Sequence, residues 1–186
     1  LSHKYDCETF NNRLKLLEEF AQKGRLLDIG CSTGSMLEIA EKRGWKALGI
    51  EPNYSSSEIC RSKKLNVYEG FLEKSYVDDA TASFDAVYMG DVLEHVPNPA
   101  ETIELMLRVL KDNGILMIVT PDFESTVARI FQIKPLEHIL YFTQTSIKKL
   151  LQTFDTKIEL LIRTTRKRTL KALCYSTTFS KKTLLK

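Results

Sequence analysis

Cysteine is scarce in this chain: Cys7, Cys31, Cys60 and Cys174 stand far apart among 186 residues, with no Cys-x-x-Cys spacing. That spacing argues against a disulfide framework or a thiolate zinc site and fits a reducing, cytoplasmic setting. Long hydrophobic runs are missing too; none approaches the roughly 18 residues that a membrane span needs. The first residues lack a signal-peptide pattern, and Leu1 in place of methionine reads as a processed or trimmed chain. The dinucleotide fingerprint Gly-x-Gly-x-x-Gly is absent, so a pyrophosphate ligand is not expected. No internal repeat or low-complexity tract is present. Charge of one sign is nearly balanced, 27 Lys and Arg against 24 Asp and Glu. The balance hides an asymmetry, because eight of the basic residues, and no acid, follow Glu159. Such a segment suits a solvated surface, or contact with nucleic acid, anionic lipid or a phosphorylated substrate.

What is present is the composition of a globular protein, 43% hydrophobic and 27% charged, in a length that fits one domain with a full core. Phe10, Leu14, Leu17 and Phe20 recur at helical spacing and predict an amphipathic helix over about 7–23. Strands are expected near 25–29, 46–50, 66–69, 84–89 and 114–120, with helices near 34–44, 54–64 and 99–111 between them. Strands interrupted so regularly by helices imply a parallel sheet with right-handed crossovers. Lys111-Asp112-Asn113-Gly114 is expected to cap the last of these helices. Further on, Thr145 to Phe154 reads as a helix and Lys157 to Ile162 as a strand, while a seventh strand is hard to find after Arg163.

The most informative stretch is Arg25 to Leu37. An apolar run ends in Asp28, breaks at Gly30 and Gly34, and re-enters a helical pattern. A strand delivered into such a turn leaves the free N–H groups of the next helix facing whatever lies above the sheet. Glycines there let the backbone approach a ligand closely. Asp28 beneath the turn suits a cation better than a phosphate. A second apolar strand ends at Glu51, followed by Pro52 and Asn53; an acid at that tip can accept both ribose hydroxyls of an adenosine. A third segment, Ser83 to Pro99, reads as a strand, a turn and a short helix carrying Asp91-Val92-Leu93-Glu94-His95-Val96.

With Leu27-Asp28-Ile29-Gly30-Cys31, Gly49-Ile50-Glu51, this third segment and Arg108 to Leu116 in order, the chain resembles the class I S-adenosylmethionine-dependent methyltransferases. Within them it is similar to the small-molecule branch that includes ubiquinone-biosynthesis O-methyltransferases. The likeness covers about residues 10–162. It implies a Rossmann-like, doubly wound α/β fold with helices on both faces of a mostly parallel sheet. It also implies a single domain over 1–186, with a core at about 24–120 and a substrate-covering and C-terminal part at about 121–186. The implied cofactor is S-adenosyl-L-methionine, leaving as S-adenosyl-L-homocysteine.

Carried over by position, the resemblance gives the Gly30–Gly34 turn, with Cys31 and Ser32, the methionine part of the cofactor. Asp28 would orient that turn, and Glu51 would take the ribose. Pro52 and Asn53 would flank the adenine, with Gly70, Phe71 and Leu72 as its other wall. Met89, Gly90 and Asp91 would line the side facing the methyl group. Arg13 matches an arginine that reaches the cofactor carboxylate in some relatives. Two departures stand out: Ser32 replaces a common glycine, and Phe71 occupies a place where relatives often carry an acid for the adenine amine.

Methyl transfer to a hydroxyl also needs a base, and histidine titrates in the useful range. His95 and His138 are the candidates, each with packing as the alternative. Glu94 alone is not a metal site. The implied acceptor is the oxygen of a small molecule such as a sugar, quinone, polyketide or lipid-linked glycan. Other readings are an N- or C-methyltransferase on a small molecule, protein or RNA, or a non-catalytic S-adenosylmethionine-binding module. No Asn-Pro-Pro-Tyr motif is present, which argues against amine methylation of nucleic acid or protein. Relatives carry a cover after Thr120; the stretch between Phe131 and His138 reads as short for one, as though residues were missing there and after Arg163.

Overall fold

A computed structural model describes the backbone of residues 2–124, 138–154, 156–166 and 172–181, and side chains over 7–124, 138–154 and 156–162. The chain alternates helix and strand: α1 (Ser2–Glu18), β1 (Arg25–Ile29), α2 (Ser35–Lys42), β2 (Lys46–Glu51), α3 (Tyr54–Ser62), β3 (Val67–Glu69), α4 (Lys74–Ala80) and β4 (Phe84–Gly90). A 3₁₀ turn (Leu93–His95), α5 (Pro99–Val109), β5 (Leu110–Pro121), α6 (Gln144–Leu151), β6 (Thr156–Arg166) and β7 (Ala172–Lys181) follow.

All seven strands share one sheet in the order β3-β2-β1-β4-β5-β7-β6. The first five neighbours run parallel, and β7 lies antiparallel between β5 and β6. Strand order reverses beside β1, the place where open α/β sheets leave a crevice above their carboxyl ends.

Period-two alternation divides the core into two layers. Leu27, Ile29, Val87, Met89, Leu116 and Ile118 face α5 and α6, packing with Ile103, Met106 and Ile147. Leu26, Ala86, Tyr88, Met117 and Val119 face the other way, toward Leu14 and Leu17 of α1 and Met36 and Leu37 of α2. Helices thus cover both faces, as the doubly wound reading requires. A polar clamp seats α1: Glu18 accepts from Arg43 and from the Trp45 indole, and Arg43 also donates to Asn11 at 2.8 Å.

Several expectations are corrected. A seventh strand does follow Arg163: β7 inserts between β5 and β6, its run of Thr, Ser, Tyr and Phe being strand-prone although flanked by lysines. An unforeseen helix, α4, carries one buried residue, Val77. The first helix starts and stops earlier than its apolar spacing suggested, and Phe20 lies beyond it. Lys111 to Gly114 does not cap α5. The helix ends at Val109, and these four residues bulge out of β5 between the Phe84↔Leu110 and Ala86↔Ile115 pairs, with Asn113 in the left-handed region at φ 61°. The stretch between Phe131 and His138 lies outside the described residues, as do the side chains of the basic segment from Arg163 onward. No helix among the described residues is long and apolar enough to cross a membrane.

Candidate active site

Two cavities open on the carboxyl edge of the sheet, and both are walled by Gly30 and Val92. The larger, of about 580 Å³, is mostly apolar. Ile29, Ile50, Pro52, Gly70, Phe71, Leu72, Met89, Val96 and Leu105 line it, with Glu51, Glu73, Lys74, His95, Asn98, Glu101 and Thr102 as its polar groups. The smaller, of about 340 Å³, is lined by Phe10, Asp28, Cys31, Ser32, Thr33, Ser35, Tyr88, Gly90 and Asp91. Pockets of this size, apolar with a few convergent polar groups, are typical of small-ligand sites.

The turn between them owes its shape to glycine at position 30. Its φ is +75°, and a Cβ there would sit 2.4 Å from a Val92 methyl. Ser32 also adopts a left-handed φ of 51°, a conformation that costs a side-chain-bearing residue energy. That cost is offset by bonds: Ser32 N–H donates to Glu51 Oε2 at 2.8 Å, and the Cys60 thiol donates to the Ser32 carbonyl at 3.2 Å. Asn53 N–H donates to the other Glu51 oxygen at 2.8 Å. Glu51 is thereby fixed by two backbone donors at the tip of β2. Gly34 lies outside the lining of both cavities. It is the N-cap of α2 at φ 80°, tight against Leu65 and Cys60, so its part is to start the helix.

Electrostatics differ between the cavities. Asp28 is buried at the end of β1, and burial with the nearby Glu51 charge raises its carboxyl to about 7, an effect Arg13 partly opposes. Arg13 is buried too. Its guanidinium donates to the Tyr88 hydroxyl at 2.5 Å and lies 3.8 Å from Asp91. Asp91 takes a left-handed φ of 57°, its N–H bonded to Val119 O. The smaller cavity therefore gathers two carboxylates and several hydroxyls, and the Arg13 guanidinium, outside its lining, is bonded to Tyr88. The N-terminal end of α2, without a side-chain cap, adds its partial positive charge. Cys31 fills the space beneath the turn: its sulfur would sit 2.4 Å from a Cβ at Gly49, and burial pushes its thiol up, keeping it neutral.

Across the larger cavity, His95 and His138 come together, their rings 4.9 Å apart. Glu94 organises them. Its carbonyl accepts from Ile139 and Leu140 N–H at 2.9 and 3.0 Å, binding the segment after His138 to the 3₁₀ turn. Its buried carboxylate accepts from Thr120 Oγ1 at 3.0 Å and lies 3.9 Å from His95 Nε2, and burial pushes its carboxyl up. Phe123 and Tyr141 pack edge to face at 4.5 Å, each also against His138. Among the described residues, Glu94, His95 and His138 offer atoms within 4.8 Å of one another. A tetrahedral ion with bonds of about 2.1 Å needs roughly 3.4 Å between ligands, so the three would have to draw inward to hold one.

A family profile described as "Methyltransferase domain" matches residues 1–161. The chain belongs to this methyltransferase-domain family. Curated relatives of this methyltransferase domain include the ubiquinone biosynthesis O-methyltransferases of Methylococcus capsulatus and Saccharophagus degradans. The first is 31% identical over 121 residues, which are 62% of this chain and 51% of that protein. The second is 28% identical over 138 residues, 69% of this chain and 57% of that protein. The chain thus spans about half the length of the curated relatives it matches. A SAM-dependent methyltransferase of Archaeoglobus fulgidus shares the fold at a TM-score of 0.74 and 22% identity, covering 94% of each chain. An S-adenosylmethionine-dependent methyltransferase from Mesorhizobium loti does so at 0.70 and 14%, covering 89% of this chain and 96% of its own.

Of the site residues singled out from sequence, all but Arg13, Gly34, Asn53 and His138 line one or both cavities of this methyltransferase domain. Those four meet the lining through a neighbour. Gly34 begins α2 behind the turn, Asn53 caps α3 and donates to Glu51, Arg13 holds Tyr88, and His138 packs edge-on against His95. Sequence reasoning missed Phe10, Tyr88 and Val92. A signal existed for two of them: Phe10 precedes Arg13 by one helical turn, and Tyr88 shares a strand face with Gly90.

Proposed function

We propose that this methyltransferase domain binds S-adenosylmethionine across the two joined cavities and transfers its methyl group to the oxygen of a small molecule. One observation carries the reading: an apolar cavity rimmed by a carboxylate meets a mixed-charge pocket at Gly30, above the ends of β1, β2 and β4. The apolar cavity suits a nucleoside, with Pro52, Gly70, Phe71, Leu72 and Met89 as walls. Glu51 keeps lone pairs beyond those given to Ser32 and Asn53, enough to accept ribose hydroxyls. The mixed-charge pocket suits an amino-acid end, with Asp28 and Asp91 toward the ammonium and Arg13 toward the carboxylate. Cys31, Ser32, Gly34 and Gly90 shape that pocket. When bound, the cofactor supplies a methyl group on positively charged sulfur.

The chain's own part is then alignment, exclusion of water and proton removal. His138, buried beside His95 and the Phe123–Tyr141 pair, is the proposed base, with His95 as its partner. The names of the curated relatives support an oxygen acceptor. A cytoplasmic setting belongs to the same proposal. Thermal melts test the core of it: S-adenosylhomocysteine should raise the melting temperature through preferential binding to the native state, and NAD should not. No shift with either ligand sinks the proposal. The Glu94–His95–His138 group favours one second reading, a divalent ion in place of a base. Turnover that survives a chelator supports the base; turnover lost and restored by a divalent ion supports the metal.

A further inference from the structure

Helix α3 runs between two parts of the proposed cofactor site and is bonded to both. It starts at the tip of β2, where the buried Ser57 hydroxyl donates to the Glu51 carbonyl at 3.1 Å and the Asn53 side chain accepts from Ser56 N–H at 3.0 Å. Its other end reaches the glycine turn. There the Cys60 thiol donates to the Ser32 carbonyl at 3.2 Å, and Lys63 Nζ donates to the next carbonyl, that of Thr33, at 2.8 Å. Ser57, Cys60 and Lys63 follow one another at helical spacing, so one face of α3 makes these three side-chain bonds. Gly34 allows the approach: a Cβ there would lie 3.0 Å from Cys60 Sγ.

The two carbonyls held this way belong to the strained residue of the turn and to the residue after it. Ser32 has a φ of 51°. A side chain disfavours that region, whereas glycine enters it about as readily as the ordinary one. Without restraint, Ser32 would move toward negative φ and carry away the N–H that it gives to Glu51 Oε2. Two donors on consecutive carbonyls oppose this. Cys60 is fully buried, and burial pushes its thiol up, so it keeps the hydrogen it donates. Lys63 supplies a charge-assisted bond and is aimed by Glu38 Oε1 at 2.7 Å. Packing does not account for Lys63, whose side chain is 34% exposed.

We propose that Cys60 and Lys63 are positioning residues for the cofactor: from α3 they brace the turn in its ligand-binding form, a task created by serine at position 32. The inference rests on the cofactor reading above. It ties two residues of α3 to one departure in the turn. With glycine at 32 the brace would have little to oppose.

A double-mutant cycle, read by calorimetric titration of the full chain with S-adenosylhomocysteine, tests this. In the parent, Cys60→Ala and Lys63→Met should each raise Kd about five- to tenfold, the order of the left-handed cost at one residue. In a Ser32→Gly background the same two changes should each raise Kd less than about twofold. A cavity left by the Cys60 sulfur, or a lost surface charge, would act equally in both backgrounds. Ligand-free melts show which variants are folded. Lys63→Met, at an exposed position, keeps the test decisive if Cys60→Ala unfolds the chain. Equal losses in the two backgrounds, or no loss in either, overturn the brace and leave the cofactor reading standing. A parent that does not bind S-adenosylhomocysteine overturns the cofactor reading and the brace with it.

Discussion

The side of the cleft proposed for the nucleoside is made of strand ends, whereas the histidine side is made of a turn and a separate segment laid across it. At the ends of β1, β2 and β4 the ladders fix every Cα, and Glu51 is locked by two backbone donors. Beyond β4, the 138–142 segment is tied to other described residues by three backbone bonds: Ile139 and Leu140 to Glu94, and Phe123 to Phe142. A site built on ladders holds an unchanging ligand to fractions of an ångström. A site built on a few bonds to a connecting segment can alter its shape without disturbing the sheet. This division suits an enzyme that binds its cofactor and its acceptor on separately built walls.

The difference between the two sides should show most plainly at His138. On the proposal, His138→Ala lowers kcat by about 10²–10³-fold, the range of a lost general base, and leaves S-adenosylhomocysteine affinity within about twofold. Calorimetry beside steady-state turnover separates the two effects. Equal activity in variant and parent would assign His138 to packing and leave the two sides functionally alike.

Gly30→Ala should act in the opposite way. The added methyl meets Val92 at 2.4 Å from a backbone at φ +75°, so the turn must move and both cavities change shape. An affinity loss of about a hundredfold is expected, roughly 2.7 kcal/mol and within the reach of a strained substitution. A variant that binds as tightly as the parent would show that the turn is softer than its ladders imply.

Glu51→Ala isolates the nucleoside side. It removes the proposed ribose acceptor and the anchor of Ser32 and Asn53. A rise in Kd of about tenfold is expected, and it should weaken 5′-methylthioadenosine, which lacks the amino-acid end, as much as S-adenosylhomocysteine. Selectivity between the ligands would place the adenosine elsewhere.

The same contrast explains what could be read from the chain. The parallel strands were legible because each ends in a residue with a reason to be there: Asp28 before Gly30, Glu51 before Pro52, Gly90 before Asp91. Local order sufficed. β7 was not legible, since apolar runs of the kind found in β1 give way there to Ser176, Thr177 and Thr178, whose strand character depends on pairing with β5 and β6. Tyr88 was hidden as one more aromatic in an apolar strand; Arg13, brought from α1, gives its hydroxyl a partner. His95 and His138 were each identifiable as titratable groups, but their adjacency is a product of the Glu94 carbonyl and its two distant donors.

Asp28 offers the subtlest case, because one carboxylate should couple ligand binding and stability with opposite signs. Its folded value, about 7 against an ordinary 3.8, means that the native state holds a proton the unfolded chain has released. The associated stability is present below about pH 4 and is lost as pH rises toward and through 7. Ligand-free melting temperatures should therefore fall between pH 5 and 8 through this group, and Asp28→Asn should flatten that slope, melting about 5 °C higher at pH 8. Ligand affinity should run the other way. Protonation as pH drops from 8 to 6 removes the negative charge proposed to face the ammonium, weakening S-adenosylhomocysteine by about three- to tenfold in the parent but not in Asp28→Asn. A parent whose affinity is flat across this range, in a variant series whose stabilities shift as described, would leave Asp28 as a support of the turn and assign the ammonium to Asp91.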